Sequence, residues 1–471
     1  MKNKILKPEL LVPAGLPRQS RLELLAPAGS LKKLKIALAY GADAVYIGLP
    51  AYSLRAQTDF DLKDIKTGIE YAHRLGKKVY ITINIFAHNR HLKLLPSYLK
   101  QLKNCQPDAI IVSDPGILQM VKKALPKTDI HLSTQMNTLN YEAVRFWQGQ
   151  GVKRIVLGRE ATLADIREIH KRVPKMPLEV FIHGAMCMSY SGRCYLSSWL
   201  SKRSANLGLC TQPCRWNYKI YLEEQLRPGQ MIPLEADNQG TYIMNSKDLK
   251  LIDYLDELIE AGVVSFKIEG RTKSLYYLAV VTRAYRQAID LLTRKPENKA
   301  EGSLSGKTRK QKLEIIKHEL NKIDNRGYTT GFLLGTEDLT REEFSTSKAM
   351  SDWEFVGEVV GIKNYPLPEG GRRGVGVKQK TGSRILSAQA GKSGMTIFIK
   401  PHNALNAGEE VEIITPLNTY KVKFKEFFDK NHKSFDKIRG GTENIYWVEI
   451  NNKYDIVKMS MIRKIKHKKN G

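Results

Sequence analysis

The chain has 471 residues, of which 42% are hydrophobic, so it is long enough to bury a large core and too long for one ordinary domain. It contains no run of about eighteen apolar residues, which excludes a predicted membrane span. The formal net charge is +28 at pH 7, and such an excess either attracts the phosphates of a nucleic acid or simply keeps a protein soluble.

The first 22 residues are predicted to be an extension. ELLVPAG at residues 9–15 returns as ELLAPAG at residues 23–29, and only the second copy is followed by a helix start, with Ser30 as N-cap. Prolines break the apolar residues of the extension, which argues against a signal peptide. Since free cysteines persist in a reducing compartment, we expect a cytoplasmic protein.

Short apolar strands alternate with amphipathic helices over residues 23–294, a pattern typical of a parallel sheet with helical crossovers. We predict a TIM-like (β/α) barrel, complete or distorted, that forms the catalytic domain. The predicted strands are 23–26, 44–47, 78–83, 109–112, 130–133, 154–157, 178–182, 242–245 and 264–268. The predicted helices include 65–75, 94–102, 141–150, 249–262 and 274–292.

Polar residues recur where these strands end, and barrel active sites lie at the carboxyl ends of the strands. Each residue alone could be a capping group or part of a surface ion pair. Together they predict a polar mouth, whose candidate residues are Arg55, Asn84, Arg159, His183, Asn245, Lys247, Lys267, Glu269 and Arg271.

The rest of the chain contains two regions whose sequence patterns differ from that of the barrel. Residues 295–350 are predicted to be a linker and helical connection, with a polar stretch at 295–311 and a short helix at 313–323. Residues 351–471 carry β-type segments with turns between them, which predict a small all-β barrel. The closing IRKIKHKKNG is basic and could contact phosphate or remain solvated.

Four of the five cysteines follow the seventh predicted strand with the spacing C-x6-C-x15-C-x3-C: Cys187, Cys194, Cys210 and Cys214. The irregular spacing favours a metal site, either an iron–sulfur cluster or zinc. Disulfides are disfavoured in a chain of this size with an odd cysteine. A nucleophilic cysteine beside His183 is a further alternative. Cys105 stands apart and is expected to be a small buried thiol.

At these residues the sequence resembles a known family. EVFIHGAMCMSYSGRCYLS is similar to the signature of the collagenase-like peptidase family U32. ELLAPAGS, GADAVYIG, HLSTQMN, VLGRE, CTQPCRW and KIEGRTKS follow in the family's order and cover residues 23–285.

The resemblance is greatest to the branch of the family that hydroxylates transfer RNA. It implies 5-hydroxyuridine at the wobble position, a 4Fe-4S cluster on the four cysteines, prephenate as co-substrate, the tRNA anticodon loop as substrate, and the iron–sulfur assembly machinery as a partner. Under this reading His183, Glu269 and Arg271 are the predicted catalytic residues. Arg55, Asn84, Arg159, Asn245, Lys247 and Lys267 are predicted to bind substrate, because cations suit carboxylates and phosphates.

Three alternatives remain open: a hydroxylase of ribosomal RNA, a peptidase, and a non-catalytic RNA-binding factor. The peptidase reading lacks the usual motifs, since neither HExxH nor GxSxG occurs in the chain.

Overall fold

The computed structural model describes residues 22–48, 52–53, 60–186, 189–216, 221–223, 225, 228–229, 231–233, 247–293, 306–335, 351–364, 394–441, 443–451 and 453–466. Apart from Leu22, the predicted N-terminal extension lies outside these ranges. Contacts divide the chain into one compact unit that ends at Ser351 and another that begins at Asp352. None of the described helices is long and apolar enough to span a membrane.

The first unit is a closed barrel of eight parallel strands, which confirms the TIM-like prediction. Neighbours along the chain pair in order, and the last strand pairs with both the seventh and the first. The barrel strands are β1 (Glu23–Ala28), β2 (Ala44–Gly48), β3 (Lys78–Ile83), β4 (Ala109–Val112), β5 (Asp129–Leu132), β6 (Arg154–Val156), β7 (Leu178–Ala185) and β11 (Val263–Ile268), with β8–β10 outside the barrel.

Helices alternate with the barrel strands, and side-chain caps begin several of them, as at Ser30, Asp61 and Asp114. The longest described helix has an almost wholly buried central part, because it packs across the barrel wall. The helices are α1 (Leu31–Ala39), α2 (Leu62–Arg74), α3 (Asn89–Cys105), α4 (Pro115–Ala124), α5 (Tyr141–Gly149), α6 (Leu163–Arg172), α7 (Leu196–Ser201), α8 (Leu255–Glu260), α9 (Leu275–Thr293) and α10 (Gly306–Leu320).

Two predictions in this region need correction. The helix expected at 249–262 begins with a short strand, β10 (Asp248–Lys250), and only α8 is α-helical. The reason is that β7 runs on past the barrel to Ala185 and offers an edge to which β10 pairs antiparallel, with β12 (Tyr328–Thr329) beside it. The polar stretch 295–311 is helical from Gly306, where α10 starts. A hairpin of β8 (Tyr221–Glu223) and β9 (Met231–Pro233) lies outside the barrel, and the strand predicted at 242–245 lies outside the described residues.

The amino-terminal end of the barrel interior is closed by a buried ionic network. The carboxylate of Glu179 accepts a hydrogen bond from Lys267 Nζ at 2.8 Å and one from Arg154 at 3.2 Å. Arg154 also pairs with Glu23, whose carboxylate accepts the Tyr80 hydroxyl at 2.6 Å. Burial raises the pKa of the Glu179 carboxyl, but the Lys267 and Arg154 cations outweigh it and bring the pKa down to about 2.

The second unit is an antiparallel half-barrel whose sheet order is β17-β16-β22-β13-β14-β21-β18-β19, and in the described residues no pairing joins β17 to β19. Alternating apolar residues such as Ile397, Ile413 and Ile462 fill its core. The strands are β13 (Trp353–Asn364), β14 (Gly394–Pro401), β15 (Leu405–Asn406), β16 (Glu410–Ile414), β17 (Thr419–Lys423), β18 (Phe427–Phe428), β19 (Ser434–Phe435), β20 (Lys437–Ile438), β21 (Tyr446–Asn451) and β22 (Met461–Ile465).

The start of the basic tail is structural rather than solvated. Arg463 lies in β22, is fully buried, and donates through Nε to Glu412 at 2.8 Å. Lys464 is also buried and pairs with Glu409 at 2.9 Å. These two cations are therefore neutralised inside the second unit.

Candidate active site at the carboxyl end of the barrel

A cavity of about 370 Å³ lies at the carboxyl ends of the barrel strands. One wall comes from strand ends and the other from the described part of residues 186–216, here called the cysteine segment. Its charged lining residues are Arg159, Lys267, Glu269, Arg271, Lys273 and Arg326, and its polar lining includes Tyr46, Thr82, Asn84, Ser133, Thr134, Gln135, Ser189, Ser191 and Gln212.

The cysteine segment is fastened to the barrel at Ser191. The Glu160 carboxylate, just after β6, accepts from the Ser191 amide at 2.7 Å and from its hydroxyl at 2.6 Å. Ser191 is buried and holds φ 41°, a left-handed conformation that costs a non-glycine residue energy. A carboxylate that accepts both Ser191 donors stabilises this unusual turn.

Hydroxyl groups hold the two halves of the cysteine segment together. Ser197, fully buried in α7, donates to the Arg203 carbonyl at 2.7 Å and accepts from the Thr211 amide at 3.1 Å. The Cys194 amide donates to the side chain of Asn206 at 3.1 Å. The Asn206 carbonyl in turn accepts from the amide of Phe86, which follows β3, at 2.9 Å. The segment is thus a small folded unit joined to two strand ends.

Three of the predicted metal ligands line this one cavity: Cys194, Cys210 and Cys214. All three are partly buried, and none is in a disulfide. Cys210 Sγ accepts a hydrogen bond from the Gln212 amide at 3.3 Å, as a thiolate ligand would. Within the described ranges no three His, Cys, Asp or Glu side chains are gathered around a single point for a metal ion, and Cys187 lies outside those ranges.

Cys105 does not belong to this group. It lies at the end of α3 and its Sγ donates to the Gln101 carbonyl at 3.6 Å. It is partly buried, and burial raises the pKa of its thiol. This is an ordinary structural cysteine.

Arg271 is held in the cavity wall by neutral groups. Its guanidinium donates to the hydroxyls of Ser53 and Thr82, the second at 3.1 Å, and only 5% of the residue is exposed. A Cβ on Gly48, at the end of β2, would overlap that guanidinium, so this glycine makes room for Arg271. The loop that carries Arg271 is fixed by Lys33 Nζ, which donates to the Arg271 carbonyl at 3.1 Å.

Glu269, a predicted catalytic residue, forms an ion pair with Arg159. Arg159 Nη2 lies 3.4 Å from Glu269 Oε2, and the guanidinium stacks 3.9 Å above the Phe181 ring centre. Both residues line the cavity, as does Lys267. Lys267 bonds to Glu179 deeper in the barrel, so its charge serves the ionic network as well as the cavity.

The structure does not place His183 among the lining residues described, and its catalytic role stays a prediction. Strict alternation from Phe181, which does line the cavity, would turn His183 inward; a register shift between β7 and β11 at this point turns it outward instead. The ring packs among Tyr277, Tyr285 and Tyr328. Burial lowers the pKa of the His183 imidazole to about 3, so it remains neutral at physiological pH.

The other predicted residues fall into three groups. Asn84 lines the cavity and is nearly buried. Lys247 is half-buried just before β10 and is not among the lining residues described. Arg55 and Asn245 lie outside the described residues.

Sequence reasoning missed several members of the site. Arg326 comes from the NRGYTT turn, pairs with the buried Asp248, and reaches the cavity wall. Lys273 also lines the cavity, with its Nζ 5.1 Å from the Tyr277 ring centre. Ser189 has a buried hydroxyl that makes no hydrogen bond within the described part of the chain. The NRGYTT segment has the glycine and asparagine typical of a turn, but it lies far from the barrel strands in sequence, so its pattern does not place Arg326 at the cavity.

Fold and site together define a (β/α)₈-barrel protein with a thiol-lined, cation-rich cavity under a cysteine segment at the catalytic end of the barrel. The model of peptidase family U32 matches residues 29–343, and the chain belongs to that family.

Three curated relatives show where in the family the similarity lies. The chain is 37% identical over 465 residues to tRNA hydroxylation protein P of Haemophilus influenzae, with 90% of this chain and 92% of the relative covered. It is 40% identical over 384 residues to the Escherichia coli protein of the same name, covering 73% and 82%. It is also 38% identical over 288 residues to the E. coli 23S rRNA 5-hydroxycytidine C2501 synthase, covering 61% and 42%.

Proposed function

We propose that this protein is a tRNA hydroxylase that forms 5-hydroxyuridine at the wobble position of the anticodon in the cytoplasm. The observation that carries the proposal is the cavity itself, where three cysteines outside any disulfide and five cations meet at the reactive end of a (β/α) barrel. Relatives named as tRNA hydroxylation proteins, aligned over most of the chain, support the same activity.

The proposed cofactor is a 4Fe-4S cluster on Cys187, Cys194, Cys210 and Cys214. The donor set fits, because four cysteine thiolates are the usual ligands of such a cluster and three of these four cysteines line one cavity. The Ser189 hydroxyl in the same wall, which makes no hydrogen bond to any described residue, is a further group that a bound cofactor or substrate could satisfy. When bound, a cluster supplies the redox chemistry that oxygen insertion at an unactivated pyrimidine carbon requires. Loading it requires the iron–sulfur assembly machinery.

The cations of the cavity suit a co-substrate with two carboxylates, as prephenate has. The lining holds Arg159, Lys267, Arg271, Lys273 and Arg326. Three of these pair with carboxylates beside the cavity or deeper in the barrel, namely Glu269, Glu179 and Asp248. Arg271 has a planar guanidinium that can bind a carboxylate through two parallel hydrogen bonds. The hydroxyls of Ser53 and Thr82 hold this guanidinium in position.

The target base must leave the stack of neighbouring RNA bases before it can enter the cavity. Anticodon bases are unpaired and can be splayed into a pocket, where polar edges are read by hydrogen bonds. Asn84 and Gln135, both buried in the cavity wall, present amide groups of the kind that pair with a pyrimidine edge. They are proposed to orient the uridine while Arg271 and Lys273 hold the anions around it.

Hydroxylation of ribosomal RNA is the second candidate, favoured by the similarity to the 23S rRNA synthase. A thiol peptidase is disfavoured because a cysteine nucleophile needs a histidine beside it, and His183 lies outside the cavity lining with its ring between tyrosines.

The test is mass analysis of nucleosides from purified tRNA and ribosomal RNA of cells that lack the gene, complemented by the parent or by single variants. The parent should restore 5-hydroxyuridine in tRNA; Cys210→Ser should not, and should bleach the visible absorbance of anaerobically purified protein. Cys105→Ser is the matched control and should behave as the parent. Restoration only in ribosomal RNA would favour the second candidate, and a colourless parent would refute the cluster.

A further inference from the structure

The cysteine segment turns one side to the cavity and the other to solvent, and the solvent side is unusually aromatic. Tyr190, Tyr195 and Trp199 are 72%, 75% and 63% exposed. Trp216, from the end of the segment, and Phe86, from the end of β3, are also exposed. Large aromatic rings are normally buried, so a concentration of them around an active site requires a partner.

The placement of these rings is regular. Residues that line the cavity alternate with exposed rings: Ser191 lines it beside exposed Tyr190, and Cys194 lines it beside exposed Tyr195. Tyr195 and Trp199 stand four residues apart across the start of α7, where the Trp199 amide donates to the Tyr195 carbonyl at 3.0 Å, so both rings lie on one helical face.

The positive charges around the rings indicate which kind of partner binds there. The cysteine segment contains four basic residues, Arg193, Lys202, Arg203 and Arg215, and no acidic residue. Lys202 and Arg203 are exposed, and the Arg193 guanidinium lies 5.8 Å from the Phe86 ring centre. Exposed rings interleaved with cations are the arrangement that binds unpaired bases by stacking and their phosphates by charge. A purely apolar partner surface would gain nothing from the cations.

We propose that Phe86, Tyr190, Tyr195, Trp199 and Trp216, here called the aromatic patch, form a stacking surface for unpaired RNA bases next to the base that enters the cavity. This inference rests on the proposed function, because it makes the cysteine segment the reader of single-stranded RNA as well as a wall of the active site. The patch recognises single strands rather than sequence, since every base has a face on which a ring can stack.

Binding of the full-length protein to a fluorescent anticodon stem-loop RNA, compared with a fully paired duplex, tests the proposal. Tyr195→Ala and Trp199→Ala should each weaken stem-loop binding about 5- to 100-fold, the range expected when one base–ring stack is lost. Their salt dependence should match the parent, and Trp199→Phe should restore most of the affinity. Lys202→Gln with Arg203→Gln should instead reduce the slope of affinity against salt concentration.

Phe146→Ala is the matched control, because Phe146 is 58% exposed on α5, away from the cysteine segment in sequence. It should bind the stem-loop as the parent does. Unchanged binding by both Tyr195→Ala and Trp199→Ala, equal losses for stem-loop and duplex, or an effect confined to self-association in light scattering would overturn the patch.

Nucleoside mass analysis of the same variants separates this proposal from the function. If the aromatic variants lose stem-loop binding while even the parent makes no hydroxylated uridine, the patch stands and the proposed function falls. If the parent hydroxylates tRNA and the aromatic variants do so at the parent rate and affinity, the function stands and the patch falls.

Discussion

Glu160→Gln should loosen the cysteine segment without unfolding the barrel. The parent carboxylate accepts two hydrogen bonds from Ser191, one from the amide and one from the hydroxyl. A glutamine has one acceptor oxygen, so its NH₂ group would face a Ser191 donor. The amide donor cannot reverse its role, and the Ser191 hydroxyl oxygen already accepts from the Arg159 amide at 3.3 Å and from the Thr134 hydroxyl at 3.4 Å, so one of the two bonds to residue 160 is lost.

The size of the effect follows from the charge and the burial. A hydrogen bond to an ionised group is worth about 1.5–3 kcal/mol, and Ser191 is buried in a left-handed turn that has its own cost. If that stabilisation is lost, the open population of the segment rises roughly 10- to 150-fold. The stability of the barrel strands should not change, because Glu160 lies after β6 rather than within it.

Hydrogen exchange followed by mass spectrometry measures this opening directly. Peptides over residues 189–201 should exchange faster in Glu160→Gln by the factor above, while peptides from β1–β4 should keep their rates. Glu168→Gln is the control, because Glu168 is an exposed α6 carboxylate that pairs with Arg172 along the same helix. Equal exchange of the segment in Glu160→Gln and the parent would refute the idea that this carboxylate anchors it.

Three further outcomes follow from the same structure. Glu179→Ala leaves Arg154 and Lys267 buried without that carboxylate and should lower the free energy of unfolding by about 3–5 kcal/mol in denaturant titrations, while Glu168→Ala should change it little. His131 and His183 have folded-state pKa values lowered to about 3 by burial, so as pH falls from 6.5 toward 4.5 the unfolded chain binds protons that the folded chain excludes. Stability should therefore decline by about 1.4 kcal/mol per pH unit for each histidine, and a flat profile would contradict this. Arg271→Lys should sharply reduce wobble-uridine hydroxylation with the visible absorbance intact, and Gly48→Ala should do likewise by displacing the guanidinium; parent-level activity in both would exclude a role for Arg271.

The barrel was predictable because local rules decide it. Buried strands of three to eight residues, capped helices and short connections all repeat along the chain, and the observed barrel strands match the predictions within a few residues at each end. The second unit was predictable as a β domain for the same reason, through its alternating apolar residues. The sequence held less information about closure, since pairing of β11 with both β1 and β7 depends on the whole sheet.

The site was predictable only where a side chain follows a strand end without irregularity. Asn84, Arg159, Glu269 and Arg271 do so, and they line the cavity. His183 does not, because a single register shift reverses its direction and no residue type announces that shift. Arg326 was missed because the β12 segment, distant in sequence, pairs with β10 beside β7 and brings the arginine to the mouth.

Lysine and arginine residues at the two ends of the barrel interior have different surroundings. Those at the amino-terminal end lie in a buried ionic network, and those at the mouth line a cavity. At the amino-terminal end Glu23 pairs with Arg154 and Glu179 pairs with Lys267, so the buried charges are neutralised within the protein. At the mouth Arg159 and Arg326 pair with Glu269 and Asp248 while also lining the cavity, so an entering anion can reach their charges. Lys267 belongs to both ends: its ammonium bonds to Glu179 while its side chain lines the cavity. An anion that enters the mouth therefore meets a lysine whose position is already fixed from below. That fixation lowers the cost of ordering the site when the anion binds, and it is the physical link between the stability of this barrel and its proposed chemistry.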